Sequence, residues 1–200
     1  TFTQFGDTFN DLNVNNHLNR INNLVEENAE CISSEQINNL RFLLSNGRKG
    51  TPPVSLDKVF KDYGYAIFRN SWDINPLENM ITASLITNNF SSVHYHKDEL
   101  TFSLYGYGTE IIVDSGYFSY NHELMYTKYQ YSTFAHNVLI VDNEDYSVKS
   151  YDGSSKIVDY EIKDEYSWVK GTHQHYKYLG IGSQYRTFIH YKPDVFFIVD

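Results

Sequence analysis

The sequence predicts a mainly β fold, an antiparallel β-sandwich, preceded by a short helical segment. Three observations predict it. Helical spacing of apolar residues is confined to residues 1–46. A Pro52-Pro53 pair, which fits neither a helix nor a sheet ladder, follows that region. Beyond it, runs rich in β-branched and aromatic residues succeed one another with only turn residues between them. Strands in succession without intervening helices indicate antiparallel sheets packed face to face.

The elements follow in order. Val14, Leu18, Ile21 and Val25 recur at helical spacing and make one apolar stripe. Ser33 with Gln36 three residues later is a capping-box signature for a second helix. Ile37, Leu40 and Leu44 form its stripe, and Gly47 with Arg48 and Lys49 supplies its stop. Gly50-Thr51-Pro52-Pro53 is read as the linker, giving a helical segment at 1–50 and a β-domain at 51–200. Strands are expected at residues 65–69, 80–87, 100–105, 110–113, 137–141, 156–162, 167–171, 185–191 and 195–199. Gly106-Tyr107-Gly108 and Asp152-Gly153 read as tight turns. Residues 117–131 have no clear period and many aromatics; so long a loop tends to be functional.

Composition bounds the function. Two hundred residues suffice for one well-buried domain with a small appendage. A formal net charge of −9 argues against nucleic acid as the main partner, because phosphate neutralisation needs clustered Lys and Arg. An anionic sugar remains compatible, since a local basic pocket can sit in an acidic surface. The 18 tyrosines suit strands, and they also suit stacking on sugar rings. Cys31 is the only cysteine, so no intrachain disulfide forms, and it reads as a buried helix residue. No apolar run is long enough to span a membrane. The chain reads as a fragment truncated within its last strand, with compartment signals expected outside it.

The chemistry concentrates between His94 and Asn137. His94-Tyr95-His96-Lys97-Asp98 places two imidazoles one residue apart, on one face of a strand. Asp114 closes the apolar Ile111-Ile112-Val113 run, and His136 is read as opening another strand. His96, Asp114 and His136 are the metal candidates: two imidazoles and a carboxylate suit Zn2+, or another divalent ion, with water completing the shell. Asp98 or Asn137 could orient these ligands. The alternative is a set of buried, hydrogen-bonded histidines. His173 and His175 form a second His-x-His, expected to be exposed on a strand because no acidic or His segment follows at useful spacing. Asp98 and Glu99 are adjacent in a strand-like run, so they face opposite ways and cannot flank one glycosidic bond. His17, His122 and His190 stand alone and receive no role.

Three pieces in order, His94-x-His96-x-Asp98, Val113-Asp114-x-Gly116 and Thr133-x-Ala135-His136-Asn137, resemble the C-terminal β-domain of the heparinase II/III-like polysaccharide lyases. A weaker likeness runs from Tyr63 to the strand at Val195. A cupin barrel also has a His-x-His strand, but its later acid and Gly-rich motif are not matched here. The resemblance implies that residues 1–50 end an (α/α) toroid, with the active site between toroid and sandwich. It implies β-elimination of a uronate-containing polysaccharide, a metal at His96, Asp114 and His136, and His94 in the active site. Further catalytic groups, a tyrosine and an Asn or His, are expected on toroid helices before Thr1, leaving this segment alone inactive. Tyr131 stands where the family often has arginine, so Tyr120 and Tyr131 are the sugar-contacting candidates. Arg186 matches a family position but reads as structural within an alternating strand. A secreted or periplasmic bacterial enzyme is implied. The competing reading is a non-catalytic carbohydrate-binding or scaffold module that keeps the fold and the metal.

Overall fold

The fold is that of a computed structural model, which describes residues 33–45, 47–73, 77–87, 96–116, 125–146 and 154–200. Two compact units divide the chain: Thr1–Ser55 with Trp72–Pro76, and Leu56–Ser71 with Leu77–Asp200. In the first unit, helix α1 spans Ser34–Leu44. The capping box forms as the sequence predicts. Gln36 N–H donates to Ser33 Oγ at 3.2 Å, and Ser33 N–H donates to Gln36 Oε1 at 2.9 Å. Gly47, at φ +78°, donates its N–H to the Phe42 carbonyl at 2.9 Å and closes the helix. The Val14–Val25 stripe, Cys31 and the Asp152-Gly153 turn lie outside the described residues.

The second unit is two antiparallel meanders. The five-stranded sheet has the order β1 (Lys58–Phe60), β2 (Tyr65–Arg69), β3 (Thr82–Ile86), β4 (Thr101–Gly106) and β5 (Thr109–Ile112). The four-stranded sheet has the order β6 (Lys156–Ile162), β7 (Tyr166–His173), β8 (Gln184–Tyr191) and β9 (Val195–Val199). Period-2 patterning turns one face of each sheet inward. Ala66 and Phe68 of β2 pair with Leu85 and Ala83 of β3, so a large side chain meets a small one in each pair. These residues, with Val59, Ile157, Val169 and Phe188, form one core drawn from both sheets. The Phe68 and Phe188 rings stack across the interface at 5.3 Å between centroids. Tyr107 and Gly108, at φ +54° and +77°, turn β4 into β5.

Three local readings are corrected. Residues 137–141 form no strand; bends lead through them into the Asp142-Asn143 turn, both of whose residues have positive φ. A short helix, α2 (Met125–Gln130), lies in the stretch read as loop. The three-residue β1 escaped notice because it is too short to show a period; pairing with β2, Val59 opposite Ala66, sustains it. Among the described residues no helix is long and apolar enough to cross a membrane.

One end of the interface holds a buried charge. Asp57, 1% exposed, accepts hydrogen bonds from Ser167 Oγ at 2.6 Å and Arg69 N–H at 2.9 Å. His190 Nδ1 lies 3.4 Å and Lys192 Nζ 3.3 Å from its oxygens. Burial alone would raise the Asp57 pKa; the bonds from His190, Ser167 and Arg69, with the charge of His190, outweigh burial and hold it at about 2. The folded-state value lies below the unfolded one, so this stabilisation is complete above about pH 4 and lost as pH falls towards about 2. It amounts to about 2 kcal/mol. Urea unfolding between about pH 6 and about pH 2 should show this loss in the wild type and not in Asp57→Asn. An identical acid limb in both proteins would contradict the assignment.

Candidate functional site

The opposite, open end of the β4–β5 hairpin gathers the candidate residues. Thr101 opens β4, and Asp114 lies two residues beyond β5. Asp114 accepts from Thr101 Oγ1 at 3.3 Å and from Gly116 N–H at 3.0 Å. His136 does not open a strand; it follows the single 3-10 turn Thr133–Ala135 in extended backbone, with its N–H bonded to the Thr133 carbonyl at 3.2 Å. Its Nδ1 lies 2.7 Å from Asp114 Oδ2. A carboxylate only accepts, so this nitrogen carries the proton. The other ring nitrogen, Nε2, is buried without a well-aligned hydrogen bond. Asn137 locks the next residue to the hairpin: its amide donates to the carbonyls of Phe102 at 3.0 Å and Val113 at 2.8 Å.

His96 reaches the same place from the loop before β4. Its ring centroid lies 5.3 Å from that of His136, and Tyr131 packs edge-on against it at 4.6 Å. The structure therefore brings together His96, Asp114, His136 and Tyr131. His96 is not in a strand, so the loop rather than a pleat aims it. His94 and Tyr120 lie outside the described residues.

Acidic neighbours dominate the electrostatics around His136. Burial opposes protonation of His136, but the Asp114 bond and charge, the Asp98 charge and the Gln130 carbonyl raise its pKa. Burial would raise the Asp114 pKa, while the bonds from His136, Gly116 and Thr101 lower it. Two imidazoles on one tetrahedral zinc have centroids about 5 Å apart, which the His96–His136 pair meets. The Asp114–His136 separation is a hydrogen bond, shorter than the about 3.3 Å between two ligand atoms of such an ion. Among the described residues no three His, Cys, Asp or Glu side chains are gathered tightly enough to hold an ion as they stand. The donor set suits zinc, and the Asp114–His136 pair would have to open to admit it.

A second layer lies behind. His173 and His175, expected to be exposed, are buried at 1% and 6% exposure. The acidic partner of His175 precedes it in the sequence, so the residues that follow carry no sign of it. Glu99, read as a strand residue, sits in a turn and points inward at 1% exposure. His175 Nε2 lies 2.9 Å from Glu99 Oε1, and the fully buried Tyr146 donates its hydroxyl to Glu99 Oε2. Tyr146 thus gives the buried carboxylate a donor.

Arg186 on β8, 4% exposed, is structural as the alternating strand implied, and its reach was not legible. It donates to the carbonyls of Leu100, at 2.8 Å, and Asn137, and forks onto Asp200 at 2.6 and 2.7 Å. Leu100, at φ +65°, presses against Gly171, where any Cβ would lie 2.4 Å from Leu100 Cδ2. Arg186→Met should therefore lower stability by about 3 kcal/mol, measured by urea unfolding, because two buried carbonyls lose their donor. Arg186→Lys should recover little, since one ammonium cannot reproduce the fork. A loss below about 1 kcal/mol for Met would contradict this role.

The fold and site define a two-sheet antiparallel β-domain with an imidazole–carboxylate cluster at one end. The chain belongs to the Heparinase II/III-like, C-terminal family, whose model matches residues 52–200. It is 27% identical over 108 residues to a heparin-sulfate lyase of Bacteroides stercoris, and 28% identical over 108 residues to one of Pedobacter heparinus. Each alignment covers 52% of this chain and 16% of the relative. Among solved structures, a heparinase III superposes with a TM-score of 0.71, and the heparan sulfate lyase HepC of Pedobacter heparinus with 0.72. Both are 18% identical and align over 92% of this chain and 27% of theirs, a likeness of fold. The chain thus spans about a sixth of the curated relatives and about a quarter of the solved ones.

Proposed function

We propose that this chain is the β-domain portion of a polysaccharide lyase that cleaves a uronate-containing polymer by β-elimination. The observation that carries the reading is the convergence of His96, Asp114, His136 and Tyr131 at one end of a domain of this family. Two heparin-sulfate lyases among its relatives support the substrate class. In β-elimination the C5–H bond breaks, a C4–C5 double bond forms, and the 4-oxygen leaves with a proton. His94 is assigned to that proton traffic, because imidazole exchanges protons near neutral pH. Tyr131, with Tyr120, is assigned to the sugar: an aromatic face stacks on a pyranose, and a phenol can hydrogen-bond to it. A secreted or periplasmic setting belongs to the same reading.

His96, Asp114 and His136 would hold a divalent ion, zinc by preference for this donor set. A bound ion would supply positive charge beside an anionic substrate. Before an ion enters, Asp114 fixes the His136 tautomer and ring plane, and Asn137 fixes the backbone beside it.

The full-length protein, incubated with heparan sulfate and alginate, should release unsaturated, ultraviolet-absorbing oligosaccharides. His94→Ala should lower that rate about 100-fold or more, with metal content and melting temperature nearly unchanged. His136→Ala should lose the metal by elemental analysis. Saccharide binding without unsaturated product would replace the lyase by a binding module. Near-stoichiometric metal retained by His136→Ala would overturn the ligand assignment.

A further inference from the structure

We infer that Asp145 is a positioning residue that sets the placement of His96 relative to His136. The two histidines come from segments far apart in sequence, and a cation site made from them needs their relative placement fixed. One carboxylate spans both segments. Asp145 Oδ2 pairs with Nζ of Lys97, the residue after His96. Its Oδ1 accepts from Thr133 N–H at 2.9 Å and Thr133 Oγ1 at 3.0 Å. Thr133 begins the one-turn 3-10 helix that leads into His136. The Lys97 N–H adds a bond to the Tyr131 carbonyl at 3.2 Å, so the segments are laced by backbone as well.

Asp145 is itself held from two sides. On one side, the Asp142-Asn143 turn, closed by Glu144 N–H to the Val141 carbonyl at 3.0 Å, delivers it. On the other, Tyr146 is 0% exposed, bonded to Glu99 and stacked on His175 at 5.0 Å. The buried Glu99–Tyr146–His175 group thus anchors the loop that carries Asp145. Asp145 acts through Lys97 and Thr133, the residues it bonds. Side chains of this kind behind metal ligands typically change affinity about 10- to 100-fold when removed.

The metal readout rests on the cation site proposed above, and the test separates the two ideas. Zinc affinity is measured by competition titration on the full-length protein, in wild type, Asp145→Ala and Asp145→Asn. Ring signals of the histidines are recorded by NMR in the metal-free proteins below their melting temperatures. Asp145→Ala should weaken zinc binding about 10-fold or more and displace the ring signals of both His96 and His136. The buried His190 should keep its signal, which general destabilisation would not arrange. Asp145→Asn, which retains an acceptor for Thr133, should recover part of both effects. If the wild type takes up no zinc, the metal reading falls and the ring signals alone decide: displacement of both sustains the positioning role. Unmoved His96 and His136 rings, or zinc affinity within about twofold of a zinc-binding wild type, would overturn it.

Discussion

A guanidinium buried between two sheets dictates much of this domain. Burying a guanidinium is prohibitive unless its donors meet acceptors. For Arg186 those acceptors are the Leu100 and Asn137 carbonyls and the Asp200 carboxylate. Two of the three lie in the segments that carry His96 and His136. Satisfying one buried cation therefore pins the backbone on which the candidate site is built. Leu100 in a left-handed conformation, seated where β7 has Gly171, is the local cost of that arrangement.

The same strand shows how the sandwich separates stability from chemistry. The inward face of β8 carries Arg186, Phe188 and His190 in turn. Phe188 packs against Phe68, Phe102 and Phe196 and belongs to the apolar middle. His190 meets Asp57 at one end, and Arg186 meets the site loops at the other. Hydrophobic burial holds the sheets together without direction. The polar residues at the two ends supply the direction, because a shift of one sheet over the other would orphan Asp57 or Arg186.

Legibility in the sequence followed the range of each interaction. Strands β2, β6 and β9 match their predicted spans because composition and period-2 patterning are local. The capping box was legible for the same reason. His96, Asp114 and His136 were legible as residue types and motif order, and the structure places His136 beside Asp114 and beside His96. The supporting residues were not legible. Glu99 finds His175 across 76 positions, and Lys97 finds Asp145 across 48. Nothing in the spacing of such pairs announces them. Asn137 illustrates a subtler failure: a residue that reads as the first of a strand instead uses its amide to cap the edges of β4 and β5.

The proposed cation site lies at one end of this sandwich, between a loop histidine, a hairpin carboxylate and a turn histidine. Anomalous diffraction at the zinc edge, from crystals grown with zinc, tests it most directly. One strong peak is expected within bonding distance of His96, Asp114 and His136 together, with the Asp114–His136 hydrogen bond opened around it. Zinc bound only elsewhere, with that hydrogen bond intact, would contradict it.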